Sequence, residues 1–344
     1  MNLVHGGKKY REYKYNREDE FEADIVSNSK LFFGSKSIYI DAKRKIESKS
    51  LGGSIPDGIL FDLNDIDNPE FYLIENELSS HDFFNHIFPQ ITKFFAFYKN
   101  RKSQSDLVEK IFSIINTDAV LKQAFKTYLG EMEIFKFVKD TIENSQNILL
   151  IIDDDMIQLP EIIDTYTDTW GKMVKVMIIK KFTDGGEQIF SLYPDFENIE
   201  YADADSIEKV EEAERVEYTE EYHLEGIDGK VKSAYFKIKE SLLLYNGSLI
   251  FKPKKYVISI AYNRNIVHFQ FRKKYIRLVV TLPYEDVLKE IKFHRIKELS
   301  ESAQRFWNSP SCEIIIDSDE HIDEVIELIK SMIVVSDKSL SLAR

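Results

Sequence analysis

The sequence predicts an α/β protein of two domains, a mixed-sheet core of element order αβββαβ and a second, smaller α+β domain. Three observations carry that expectation. Short apolar runs alternate with segments of helical periodicity over residues 1–199, a densely acidic stretch follows at 200–222, and a strand-rich run closed by an amphipathic helix fills 223–344. The chain has 344 residues, 43% hydrophobic and 31% charged, which is long enough and apolar enough for two ordinary cores.

In chain order, "REDEFEADIVSNSKLFFG" reads as a helix, because Phe21, Ile25 and Val26, then Leu31 and Phe32, recur near helical spacing and Gly34 supplies a stop. "KSIYIDAKRKI" reads as a strand. "SIPDGILFDL" and "FYLIENEL" are two more, separated by the turn formers of "NDIDNPE". Such short separations favour antiparallel neighbours, so a three-strand meander is expected. "SSHDFFNHIFPQITKFFAFYKN" reads as a helix capped by Ser80, with Phe84, Ile87, Phe88, Ile91, Phe94, Phe95 and Tyr98 on a broad apolar face and a kink at Pro89. Further helix is expected over 105–145. "NILLIID" has the continuous apolar character of a buried strand. "LPEIIDTYTDTWG" then reads as a helix, and "KVMIIKKF" and "QIFSLY" as strands ending the first domain at 199.

Residues 200–222 hold ten Asp and Glu against Lys209 and Arg215, and read as an acidic linker. The second domain, 223–344, begins with the helical "KVKSAYFKIKESLLLY". Strands "YVISIAYN", "IVHFQFRKK", "YIRLVVTL" and "CEIIID" follow, then the helix "DEHIDEVIELIKSMI".

Net charge is −13, which by itself argues against a nucleic-acid partner, since phosphate binding leaves a basic footprint. The acidic linker carries most of that excess, and the rest of the chain is close to balanced. Basic clusters stand at "KKYREYKYNR", "KRK" and "FRKKYIR", two of them interleaved with aromatics. No run of about eighteen uncharged apolar residues exists, and "MNLVHGGKKYREYKY" lacks a signal-peptide stretch, so a cytoplasmic protein with no membrane partner is expected. A lone cysteine, Cys312, allows no intramolecular disulfide and no cysteine-based zinc site, and reads as a buried small residue.

The chemistry-bearing feature is a set of carboxylates in apolar strands. Residues two apart in a strand share a face, so Glu75 and Glu77 project together, and Asp57 on the preceding strand can reach that face. Three converging carboxylates repel one another and lose hydration, so a positive charge must offset them. Oxygen-only ligands favour a hard cation such as Mg²⁺, with Mn²⁺ able to substitute. A metal held this way can polarise a phosphodiester and acidify a bound water.

"IPDG" and then "IENEL", with Glu75 eighteen positions after Asp57, resemble the signature of the PD-(D/E)XK nuclease superfamily in its ExE form. The helix, the meander and the following "QITKF" are similar to that family's restriction-endonuclease-like core in its RecB-like branch, although Phe94 stands where that branch usually has Tyr. The resemblance covers residues 18–153. It implies a Mg²⁺-dependent nuclease hydrolysing DNA, of the kind that serves restriction, repair or defence against phage. Asp57 and Glu75 match the family's two metal-binding acids, the Asn76 carbonyl the position that often adds a ligand, and Glu22 the helical acid, with Glu18 as the fallback. Glu77 departs from the pattern, standing where the family has the lysine that activates water. Either Glu77 acts as a general base or extra ligand, or a lysine arrives from elsewhere, Lys43 on the neighbouring strand being nearest. Gln90 supports the site, and Lys43, Lys45, His81, Gln90 and Lys93 are the candidate nucleic-acid contacts. Nothing in these residues separates DNA from RNA, and a homodimer is the candidate assembly. A catalytically silent binding protein on the same scaffold is the competing expectation. The second domain faintly resembles an uncharacterised bacterial domain found at the C-terminus of such nucleases, which implies an accessory role.

Other motifs carry less. His81 and His86 are five apart and do not share an α-helical face, which argues against a histidine-based metal site. "DDD" at 153–155 reads as a solvated loop entry, and Trp170 and Trp307 as core or interface aromatics. There is no P-loop, nucleophile elbow or dinucleotide fingerprint.

Overall fold

The computed structural model describes residues 1–45, 55–156, 173–199, 218–262, 264–307 and 309–342. Two compact units divide the chain, Met1–Ile199 and Glu200–Arg344. The fold is mixed α/β, with a mixed sheet in the first unit and a separate antiparallel sheet in the second.

The first unit opens with a hairpin of β1 (Asn2–His5) and β2 (Lys8–Tyr13). Its two-residue turn is Gly6-Gly7 with φ of 56° and 77°, the left-handed pair that matches strand twist in a tight hairpin. The basic segment 8–17 is therefore largely strand, and several of its charges are engaged. Lys8 pairs with Glu187, Lys14 with Glu12 and Asp154, and Arg17 with Asp19, whereas Lys9 and Arg11 are exposed.

Helix α1 (Glu18–Phe33) buries Phe21, Ile25, Phe32 and Phe33 and ends at Gly34, φ 88°. Leu31, expected on the apolar face, points to solvent at 73% exposure, because the buried stripe runs through Phe32 and Phe33 instead. Strand β3 (Ser37–Asp41) stops five residues earlier than the sequence suggests and turns into a short helix, α2 (Ala42–Lys45). The N–H groups of Ala42 and Lys43 both point at the Asp57 carbonyl, 3.0 and 3.5 Å away, which bends the chain out of the sheet.

Strands β3, β4 (Gly58–Asp62) and β5 (Glu70–Glu77) form the expected antiparallel meander, with Asp41 opposite Gly58 and Gly58 opposite Ile74. A β carbon at Gly58 would lie 2.2 Å from the Tyr39 hydroxyl and within 2.8 Å of its ring. Tyr39 in turn stacks on Phe33 at 5.9 Å. Gly58→Ala is thus expected to displace the whole ring and destabilise the unit by about 1–3 kcal/mol, measured by urea unfolding, with Tyr39→Ala in the same chain recovering much of the loss.

After β5 comes a π-helical turn, Phe83–Ile87, running into α3 (Phe88–Lys99). Its cap is Asp82, which accepts from the Asn85 N–H at 2.7 Å, and not Ser80. Pro89 sits in the first turn of α3, at the junction where the π turn passes into the α-helix. The helix expected over 105–145 is three helices, α4 (Arg101–Thr117), α5 (Ala119–Leu129) and α6 (Ile134–Asn144). Asn100 caps the first and Asp118 the second, each accepting two backbone N–H groups.

Strands β6 (Asn147–Ile152) and β7 (Val174–Thr183) add in parallel to β5, and β8 (Gln188–Tyr193) pairs antiparallel with β7. The sheet order is β1-β2-β7-β6-β5-β4-β3, with β8 also on β7. Helices α3 to α6 cover one face through Ile91, Phe94, Ile111, Phe125 and Phe137, and α1 covers the other against Tyr72, Ile74 and Leu149. With both faces covered, the central strands are nearly continuous apolar runs, and a charged residue among them stands out. The helix expected in "LPEIIDTYTDTWG", with Trp170, lies outside the described residues.

In the second unit, α7 (Glu220–Leu224) starts within the stretch expected as linker, and Glu220 accepts from Tyr235 at 2.7 Å. Residues 200–217 lie outside the described residues. Helix α8 (Gly229–Tyr245) precedes β9 (Ile250–Pro253), β10 (Ile258–Tyr262), β11 (Arg264–Arg272) and β12 (Tyr275–Val280). Then follow α9 (Tyr284–Glu290), β13 (Arg295–Glu298), α10 (Glu301–Phe306), β14 (Cys312–Ile316) and α11 (Ile322–Leu342). The antiparallel sheet runs β13-β14-β12-β11-β10-β9. Tyr235, Ile238, Val325 and Ile329 pack on one face, and Trp307 with Leu299 and Ala303 on Val279 of the other. Cys312 is buried, and burial pushes its thiol up to about 12, which suits a small core residue. No helix of the described residues is long and apolar enough to cross a membrane.

Candidate active site

At the end of the first sheet where β4 begins and β5 ends, the carboxylates meet. Asp57 lies one residue beyond the last registered pair of β4 and β5, Gly58 with Ile74, so it faces Glu75. Glu75 and Glu77 extend the face of Phe71 and Leu73, which is the face covered by α3 to α6. Asp57, Glu75, Asn76 and Glu77 are all buried, the last two completely. Such acids in apolar surroundings cost several kcal/mol each unless neutralised or paired, so a local compensation is required.

Asp57 has one. The Asn76 N–H donates to its Oδ2 at 2.6 Å, and Lys43 Nζ lies 2.5 Å from Oδ1. Because β3 ends at Asp41, Lys43 is carried by α2 and not by the neighbouring strand, and the helical turn aims it at the acids. The same ammonium is 2.5 Å from Glu22 Oε1 and 3.8 Å from Glu18, both on the first turns of α1. Burial works against the Lys43 charge, but Asp57 and Glu22 outweigh it and raise its pKa. Burial is also the leading effect on Asp57, and pushes its carboxyl up to about 7 against the lowering by Lys43 and the Asn76 N–H.

Glu75 has no such relief. Its Oε2 is buried without a hydrogen-bond partner, and burial first, then the charges of Asp57 and Glu77, hold its pKa well above the usual carboxylate range. Glu77 is pushed up to about 7, mainly by burial, with the nearby His86 opposing. His81 Nδ1 is 2.8 Å from Glu77 Oε2, and His86 Nε2 is 3.3 Å from Oε1.

The two histidines correct a sequence expectation. Five residues apart, they do not share an α-helical face, yet both reach Glu77 with ring centroids 4.9 Å apart. His81 lies in the turn that leaves β5, its N–H on the Leu78 carbonyl at 2.9 Å, whereas His86 lies in the π turn Phe83–Ile87 that follows the extended Asp82, so the pair meets across that change of direction.

Other expected site residues fall as follows. Asn76 serves Asp57 through its N–H, and its side chain lies on the α1 face of the sheet, opposite Glu75. Gln90 is half-buried in the first turn of α3 and Lys93 is exposed further along it. Lys45 closes α2, and its side chain lies outside the described residues. The "DDD" segment is a loop entry after β6 with Asp155 exposed, as expected, but its acids are engaged. Asp153 accepts from the Ser79 N–H at 2.7 Å, and Asp154 pairs with Lys14 and, at 2.5 Å, with Lys180.

The donor set suits a hard divalent cation: carboxylate oxygens of Glu18, Glu22 and Asp57 lie within 4.8 Å of one another, a grouping that does not include Glu75, whose buried Oε2 has no hydrogen-bond partner. The raised carboxyls have a measurable consequence. An acid whose pKa rises on folding stabilises the native state below its unfolded value, and that contribution is lost as pH climbs through the folded one. The metal-free protein is therefore expected to lose on the order of a few kcal/mol between about pH 4 and pH 7 from Asp57 and Glu77, and Mg²⁺ to stabilise it more at pH 8 than at pH 6. Thermal unfolding with and without EDTA across that range checks both. Comparison with protein-family models, curated proteins and solved structures gives no match to the chain.

Proposed function

We propose that the first unit is a Mg²⁺- or Mn²⁺-dependent nuclease hydrolysing DNA phosphodiester bonds, built as a PD-(D/E)XK core with glutamate in the third position. The observation that carries this reading is Glu75, a buried carboxylate with an unpartnered oxygen, facing Asp57 at the ends of adjacent strands. No packing role accounts for an unpaired acid there, whereas a metal ligand needs that free oxygen. Asp57 and Glu75 are the proposed ligands, with Glu22 or Glu18 completing the set. A bound Mg²⁺ supplies Lewis-acid polarisation of the phosphoryl oxygen and a more acidic water. The Asn76 N–H holds Asp57 in one orientation, and Lys43, in the place of the missing motif lysine, offsets the anionic charge beside the scissile phosphate. Glu77, with His81 and His86 on it, can take up a proton from the attacking water. Gln90 and Lys93 sit on α3 as candidate strand contacts. The same reading includes a cytoplasmic role in restriction, repair or defence against phage, and a homodimer as the assembly.

The test is to incubate the full chain with supercoiled plasmid, linear DNA and RNA in Mg²⁺, Mn²⁺ or EDTA. DNA cleavage in either metal and none in EDTA is expected, and no product from any substrate at any metal concentration overturns the reading. One observation favours a second reading. Lys43 already neutralises Asp57 and Glu22 by direct ion pairs, as it would in a catalytically silent scaffold that binds nucleic acid or a protein partner. That reading expects binding without product.

A further inference from the structure

We infer that Glu18, His81 and His86, with Glu77 orienting the His81 ring, form a second cation site, selective for a borderline transition metal of the Zn²⁺ class and distinct from the carboxylate site of Asp57 and Glu75. It does not depend on the nuclease reading. Glu18, His81 and His86 each bring a ligand atom to within 4.8 Å of the others. Buried Glu77 supplies an independent pointer, because its Oε1 has no hydrogen-bond partner although His86 Nε2 stands 3.3 Å away, off the line of a hydrogen bond. Two imidazole nitrogens and one carboxylate oxygen are a three-ligand set matched to tetrahedral Zn²⁺ with one open position. Meanwhile Glu77 Oε2 holds His81 Nδ1 at 2.8 Å. That leaves His81 Nε2 for the metal, the carboxylate–histidine arrangement that orients ligating rings. Imidazole is a poor ligand for Mg²⁺, so the two sites differ in chemistry as well as position. Glu18 belongs to both acidic groupings, and is the one side chain able to bridge them. Glu77 then stands where a lysine is expected because it serves the histidines.

The test uses the full chain, stripped with chelator and held in excess Mg²⁺ so that the carboxylate site is served by the hard ion. Zn²⁺ is titrated by calorimetry and Co²⁺ by visible absorption. One equivalent per chain with nitrogen-ligated Co²⁺ bands is expected, weakened about tenfold or more by His81→Gln or His86→Gln, and retained by Glu75→Gln. Failure to bind one equivalent, or binding that survives the double histidine variant, overturns the site, and loss of binding in Glu75→Gln merges it with the carboxylate site. Both rings are partly exposed, with side-chain exposures of 30% and 48%, so the variants should fold. On wild-type protein, Co²⁺ should broaden the ring signals of two of the seven histidines, and broadening of other rings instead counts against the site.

Discussion

Replacing Glu75 with Gln is expected to reduce metal-dependent DNA cleavage at least about a thousandfold, on the order of 4 kcal/mol in activation free energy, while leaving the fold intact. The substitution keeps size and shape but removes the negative charge beside a buried oxygen with no hydrogen-bond partner. Because burial already favours the neutral form of Glu75, the glutamine should cost the metal-free protein little stability at pH 8, and relieve repulsion with Asp57 and Glu77. What it should lose is stabilisation by ligand. A wild-type site at a hundred times its dissociation constant gains about 2.7 kcal/mol from Mg²⁺, and most of that gain should vanish in the variant. Cleavage assays and thermal unfolding with and without Mg²⁺ separate these effects. Undiminished cleavage by Glu75→Gln would remove the basis for the nuclease assignment.

Lys43→Met is the second substitution with a large expected effect, and it acts on two observables. Without the ammonium, Asp57 loses its counter-charge in a site where it is almost completely buried. Breaking a fully buried pair costs several kcal/mol, but the Lys43 side chain is 43% exposed, so a loss of about 1–3 kcal/mol at pH 8 is the discounted expectation. At pH 5, below the raised Asp57 pKa of about 7, the carboxyl carries a proton and the loss should shrink. In cleavage, a lysine that serves the reaction should be worth roughly 10²- to 10⁴-fold, with Mg²⁺ affinity unchanged or higher once the competing ammonium is gone. Retained cleavage with tighter Mg²⁺ binding would instead show Lys43 to be a counter-ion for the empty acids and nothing more.

Periodicity was enough for much of the architecture. The meander of β3, β4 and β5 followed from apolar runs separated by Asn, Asp and Pro, and the parallel β6 from an apolar run too continuous to be half-exposed. Where the reading missed, local chemistry or distant contacts had overridden the pattern. Asp118 caps α5 and splits one expected helix into separate pieces. Gly6 and Gly7 turn the start of the basic cluster at 8–17 into a hairpin strand, and partners as far along the chain as Asp154 and Glu187 engage its lysines.

For the site, the sequence alone determined that Glu75 and Glu77 share a face and that Asp57 can join them, because strand side chains alternate strictly and a short turn makes neighbours of β4 and β5. Only the tertiary structure decided which charges answer those acids. Lys43 reaches Asp57 because β3 breaks into a helix at Ala42, and Glu18 and Glu22 reach Lys43 because α1 packs with its first turns at that end of the sheet. His81 and His86 converge on Glu77 because the chain turns at residues 78–81 and only then enters the helical turn that carries His86, a path invisible to a 3.6-residue period.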